Sequence, residues 1–165
     1  PSVFAQLHRL LERAGNGETS GITGIYTVLV EGDDFSEPVA DHVRSVLDGH
    51  IVLSRRLASS GHYPAIDVLE SASLVREQLM DDPHRTAARD VQQVLGAYRE
   101  KEDLISVGAY QKGADPMVDI ALELRRELND YLRQAPEEPG ASYAENRERL
   151  LALHQRIQAV RSTLS

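Results

Sequence analysis

The chain contains no cysteine and only two lysines among its 165 residues. Without cysteine there are no disulfides and no thiolate metal sites, and a reducing compartment is permitted. The lysines are Lys101, followed by Glu102, and Lys112, followed by Gly113. No G-x-x-x-x-G-K-[ST] loop therefore exists here, and nothing of that kind cradles a triphosphate. Excess positive charge is also missing: the net charge is −8, which argues against phosphate-driven binding of DNA or RNA and against an anchor on acidic lipid. No apolar run approaches the ~20 residues that span a bilayer. The histidines at 8, 42, 50, 62, 84 and 154 show neither H-x-x-x-H nor H-E-x-x-H spacing, so zinc chemistry is unsupported. No G-x-S-x-G nucleophile motif occurs. The start at Pro1-Ser2-Val3-Phe4 has neither an initiator methionine nor a signal peptide's cationic and apolar regions. A chain that opens inside an apolar pattern is expected to be a piece of something longer.

What is present has the composition of a globular protein, 41% hydrophobic and 27% charged. Its length suits one domain with a real core or two small subdomains. The stretch from Ile22 to Ser73 is the most informative. Ile25-Tyr26-Thr27-Val28-Leu29-Val30 runs into Glu31-Gly32-Asp33-Asp34. A β-branched run ending in carboxylates is what an α/β nucleoside triphosphatase places at the end of a sheet strand.

The apolar pattern predicts a short amphipathic helix through Val3, Leu7, Leu10, Leu11 and Ala14, stopped by Gly15-Asn16-Gly17. A strand is expected from about Ile22 to Glu31. Ser36 is a candidate N-cap for a helix carrying Val39, Val43, Val46 and Leu47, and His50 to Leu53 reads as a second strand. Strand, helix, strand in that order suggests a βαβ unit of a parallel sheet. After Asp81-Asp82-Pro83 the pattern becomes helical throughout. Val91, Val94, Leu95, Tyr98 and Ile105 share a face that ends near Gly108. Asp115-Pro116 caps a stripe of Ala121, Leu124, Leu128 and Tyr131. Pro136 to Gly140 is a hinge, and Ser142-x-x-Glu145 is a capping box opening a third helix striped by Leu150, Leu153, His154, Ile157 and Val160. There is no internal repeat and no low-complexity segment.

Together these segments resemble the C-terminal third of the type III secretion and flagellar export ATPases, in the superfamily of the rotary ATP synthase α and β subunits. The residues that carry the resemblance are Pro1 to Ala5 with Leu10 to Gly15, Tyr26 to Asp34, Leu47 to Arg55, Tyr63 to Leu69, and Gly108-Ala109-Tyr110 with Gly113 and Asp115. The secretion branch is favoured by Val-Leu-Val-Glu-Gly-Asp-Asp and by Gly-Ala-Tyr. The fold class implied is α/β plus all-α. Residues 1–80 would be the C-terminal part of a RecA-like core without its phosphate loop and metal-binding strand, and 81–165 a helical domain. The resemblance also implies a cytoplasmic homo-hexamer, peripheral to an export apparatus at the membrane, that uses ATP and Mg2+. A coiled-coil stalk would enter its pore, and export substrates and chaperones would meet the helical domain. The chain alone is expected to be inactive.

Site residues follow from the same resemblance. Tyr63 and Pro64 would lie against the adenine base, an aromatic face stacking on a purine with proline fixing the chain behind it; the plainer alternative is a tyrosine packed at a domain seam. Asp33, Asp34 and Glu37 invite metal ligation, since hard cations take carboxylate oxygens. The family instead points this loop at the stalk, and a solvated acidic loop is the plain reading. The family's arginine, which reaches a neighbour's γ-phosphate and stabilises the transition state, is replaced by Leu74. Arg76 is the possible substitute: on a helix it points about 200° away, whereas an extended loop lets it reach. Arg55-Arg56 is read as a salt-bridge pair, and Tyr110 with Lys112 as shaping a turn. The rival to an export ATPase is a non-catalytic homologue, an interaction module that binds partner helices; Leu74 and the missing phosphate loop favour it.

Overall fold

A computed structural model describes residues 2–30 and 37–164. They form two compact units, one of residues 2–30 and 37–50 with 73–75 and one of 51–72 with 76–164.

In the first unit, α1 (Ser2–Leu11) and α2 (Pro38–Val46) pack through Leu11, Ala40 and Val43, which are all buried. The ring of Phe4 meets His42 edge-on at 5.1 Å. Between the helices, β1 (Gly15–Asn16) pairs antiparallel with β2 (Gly21–Ile22), Gly15 opposite Ile22 and Asn16 opposite Gly21. Gly24 is required by a close approach: a Cβ there would stand 2.8 Å from both Ala14 Cβ and the Tyr26 ring. Tyr26 donates its hydroxyl to the carbonyl of Leu10 at 3.3 Å.

The strand expected over Ile22 to Glu31 is not formed among the described residues, which beyond Ile22 are irregular up to Val30. An apolar β-branched run becomes a strand only when neighbours supply its ladder. Among the described residues none does, and Ile25 and Leu29 are 92% and 91% exposed. The βαβ unit expected from the pattern is therefore open. The cap of α2 also differs: Glu37 is its N-cap, without a side-chain capping bond, and Pro38 takes the first turn. Ser36 lies outside the described residues.

In the second unit, β3 (Gly49–Leu53), whose last three residues belong here, neighbours β4 (Ile66–Ser73). The Val52 amide donates to Ser71 Oγ at 3.0 Å. Between these strands runs α3 (Arg55–Ser59), capped by Ser54, and after them α4 (Arg76–Leu79). Four helices follow: α5 (Asp82–Ser106), α6 (Pro116–Glu123), α7 (Arg125–Leu132) and α8 (Tyr143–Leu164). Their core joins Val91 and Val94 to Ile120, Leu124, Leu128, Leu153 and Ile157. The expected caps are present. Asp115 accepts from the amides of Met117 and Val118. Ser142 and Glu145 exchange bonds of 2.7 and 3.2 Å. Gly108 ends the α5 turn at φ +71°, a conformation that L side chains disfavour. The Ala121–Tyr131 stripe is not one helix: Leu124, at φ −95° and ψ 11°, breaks it into α6 and α7 while remaining fully buried.

Candidate functional site

The segment after α3 and the end of α7 meet in the second unit. Tyr63 and Pro64 are joined by a cis peptide bond. Pro64 lines a cavity of about 430 Å3 with Arg133, Gln134, Ala135, Glu138 and Arg149 among the other walls. That volume is in the range of small-molecule sites. Tyr63 does not line it, but its carbonyl accepts from the Gln134 amide at 2.9 Å and its side chain is half exposed, at 53%. Ala135 donates its amide to Glu138 Oε2 at 3.3 Å, which folds the segment after α7 back on itself.

The residue before Tyr63 is buried. His62 is 6% exposed, and its Nδ1 accepts from Arg133 Nε at 3.3 Å. Burial, and next the Arg133 charge, hold its pKa below the ordinary 6.5. Tyr131, under the guanidinium of Arg149 at 5.9 Å, has its phenol pushed up by burial, an effect that Arg149 opposes. Further along β4, burial alone would raise the Asp67 carboxyl. The bonds from Arg99 and from the amides of Glu70 and Leu69 outweigh this, and the group is held below its ordinary 3.8.

The other sequence-selected residues are placed separately. Leu74 is 73% exposed, and its amide donates to the carbonyl of Asp48 at 2.8 Å. Arg76 opens α4, where its Nε lies 3.4 Å from Glu77 and an Nη donates to Gln92 at 3.3 Å. Glu37 is half-buried at the start of α2. Asp33 and Asp34 lie outside the described residues. Among the described residues no three His, Asp or Glu side chains are grouped to hold a metal ion. Arg56 pairs with Glu102 at 2.7 Å. Tyr110 shapes its turn by donating to Asp119 and to the carbonyl of Asp115, both at 3.0 Å.

Sequence reading gives no role to Arg133, Gln134 or Ala135, and takes His62 only as one of the histidines without zinc spacing. His62 and Arg133 are 71 positions apart, and no short motif joins them. The nearest signal was the adjacency of His62 to Tyr63-Pro64.

The sequence matches two families side by side. Residues 1–73 match the ATP synthase alpha/beta family, nucleotide-binding domain, and residues 80–158 match the T3SS EscN ATPase C-terminal domain. A type 3 secretion system ATPase of Pseudomonas syringae pv. syringae is 50% identical over 153 residues, 93% of this chain and 34% of that protein. A flagellum-specific ATP synthase of Pseudomonas aeruginosa is 51% identical over 155 residues, again 93% and 34%. Among solved structures, the assembled ATPase EscN of enteropathogenic E. coli, in complex with its central stalk EscO, superposes with a TM-score of 0.81. It is 40% identical, with 93% of this chain and 36% of that one covered. The chain thus spans about a third of the length of the relatives it matches. It combines the distal part of a RecA-like nucleotide-binding domain with a C-terminal helical domain. On these grounds the chain belongs to the type III secretion and flagellar export ATPase family, within the ATP synthase α/β superfamily.

Proposed function

We propose that this chain is the C-terminal third of an ATPase that couples ATP hydrolysis to protein export, and that it supplies the base end of the nucleotide site. The observation that carries this is the cavity formed by Pro64 and Gln134–Ala135 beside the half-exposed Tyr63, in a chain about half identical to secretion and flagellar ATPases. The cavity is lined mostly by polar and charged groups around Pro64, and the half-exposed Tyr63 ring next to Pro64 in the chain is an aromatic face that a purine can stack on. The whole protein works as a cytoplasmic ring of six at the export apparatus and uses ATP with Mg2+. Residues 1–80 complete its nucleotide-binding core, and 81–165 meet substrates and chaperones. The acidic loop at Asp33, Asp34 and Glu37 faces the central stalk. The chain alone does not hydrolyse ATP, because its sequence has no phosphate loop.

The test is ATP turnover by this chain and by the full-length assembled protein. Turnover is expected only from the second, with Tyr63→Ala raising KM more than it lowers kcat, since base stacking is a uniform binding term. Turnover by the chain alone overturns the reading of an incomplete site. An unchanged KM in Tyr63→Ala overturns the base contact. Leucine at position 74 favours the second reading, a non-catalytic homologue that binds partner helices. Absence of turnover from the assembled full-length protein decides for it.

A further inference from the structure

The cavity lined by Pro64 and by the end of α7 with Arg133, Gln134 and Ala135 brings together two segments far apart in the chain, the turn at 62–64 that carries Pro64 and residues 133–135. Two hydrogen bonds hold the walls together. The first, from the Gln134 amide to the Tyr63 carbonyl, uses backbone alone. The second, from Arg133 Nε to His62 Nδ1, depends entirely on side chains. The imidazole is largely buried, and it is the hydrogen-bond partner that the structure gives the Arg133 guanidinium among the described residues.

We propose that His62 and Arg133 are a positioning pair for the base end of the nucleotide. By tying the Tyr63–Pro64 turn to the end of α7, they set the separation of the two walls between which a purine lies. The proposal rests on the reading of that cavity as base-binding. Neither residue is asked to touch the base. Their effect passes through the turn and the α7 end.

The clamp works only with a neutral imidazole, because a protonated one has no lone pair for Arg133 and carries a like charge. The bond and the buried setting both favour the neutral form. The other charged groups near His62 line a second cavity with it: Arg56, Asp67, Arg99, Glu102 and Arg125. Asp67 is bonded to Arg99, Glu102 to Arg56, and Arg125 lies over the Tyr98 ring. Protonation opens the clamp, and base binding weakens as pH falls.

The chain itself, 15N-labelled, is titrated with ADP, and hydrogen exchange is followed at the Gln134 amide. Shifts are expected around Tyr63, Ala65, Gln134 and Ala135, and Tyr63→Ala weakens binding. His62→Leu is expected to weaken ADP binding by roughly tenfold and speed Gln134 exchange by a similar factor, the scale of one lost hydrogen bond. His62→Asn, whose carboxamide oxygen stands near the place of Nδ1, restores both to within about threefold. ADP affinity falls more steeply with acidification in the parent chain than in His62→Asn, the fall setting in below the ordinary histidine value because the His62 pKa is lowered. Arg133→Lys, which keeps the charge but not Nε, behaves as His62→Leu does and serves if that variant does not fold. Gln134 exchange that is unchanged in both variants overturns the clamp, whatever ADP does. Exchange that responds as expected, with ADP indifferent to Tyr63→Ala, overturns the base site and with it the clamp's part in binding. Loss in His62→Leu without recovery in His62→Asn leaves only packing, and also overturns the proposal.

Discussion

Nη2 of Arg99 lies 2.7 and 2.8 Å from the two carboxylate oxygens of Asp67, joining the middle of α5 to β4 within the second unit. Asp67 Oδ1 also accepts the amides of Leu69 and Glu70 at 3.1 and 3.2 Å, and Arg99 Nη1 reaches Glu70 at 3.3 Å. The carboxylate is buried and fully engaged. Its desolvation is offset by four bonds, so removing one partner costs more than an exposed pair would.

Arg99→Met is therefore expected to destabilise the chain by about 3 kcal/mol, the low end for breaking a buried pair, because the Arg99 side chain is one-third exposed. Urea unfolding should show a lower midpoint with an unchanged slope. Asp67→Asn keeps an oxygen for the two amides and should lose less.

Acid dependence follows from the same group. Asp67 is held below its ordinary 3.8 in the folded chain, so the folded state binds fewer protons than the unfolded one. Its stabilisation is present above about pH 4 and is lost as pH falls through the lowered value. Asp81, bonded by the His84 amide, and Glu145, bonded by the Ser142 amide, shift in the same direction. Asp67→Asn should flatten the acid limb of a stability-against-pH curve without abolishing it. A limb of unchanged slope counts against this assignment.

Local rules made much of the helical half legible. A stop at Gly108, a cap at Asp115 and a box at Ser142–Glu145 are decided within a few residues by orphan amides and carbonyls, and each is found where the sequence places it. The segment from Ile25 to Val30 was misread for the opposite reason. Its residues suit a buried strand, but a strand is completed by neighbours, and none is described beside it. The cavity walls at Pro64 and Gln134 likewise depend on tertiary approach. A window along the sequence shows Tyr63-Pro64 as a motif, but not the end of α7 that faces it.

Asp115→Ala tests the cap. Its carboxylate accepts the amides of Met117 at 2.9 Å and Val118 at 3.5 Å, and the helix that it opens carries the fully buried Val118 and Ile120. Loss of about 1–2 kcal/mol is expected, read by thermal or urea unfolding. Ile120→Ala, in the same helix, should cost about 2–5 kcal/mol because it leaves a cavity in the core. The core variant should therefore be the more damaging of the two.

Leu74 and Arg76 set the last expectation. If a trans arginine is needed at position 74, Leu74→Arg in the full-length assembled protein raises kcat with little change in nucleotide affinity, because such a residue acts on charge that develops in the transition state. A fully working finger is worth on the order of 10³-fold or more. Arg76 is the alternative source of charge. In the structure its guanidinium is engaged by Glu77 and Gln92, and reaching a neighbour's phosphate requires giving up both contacts. We therefore expect Leu74→Arg to accelerate turnover and Arg76→Ala to leave it within about threefold, a change of under 1 kcal/mol in the barrier. The opposite pattern, a severe loss in Arg76→Ala with an indifferent Leu74→Arg, makes Arg76 the finger and means that the α4 contacts break in the assembled ring. Indifference to both substitutions removes the finger from this segment altogether.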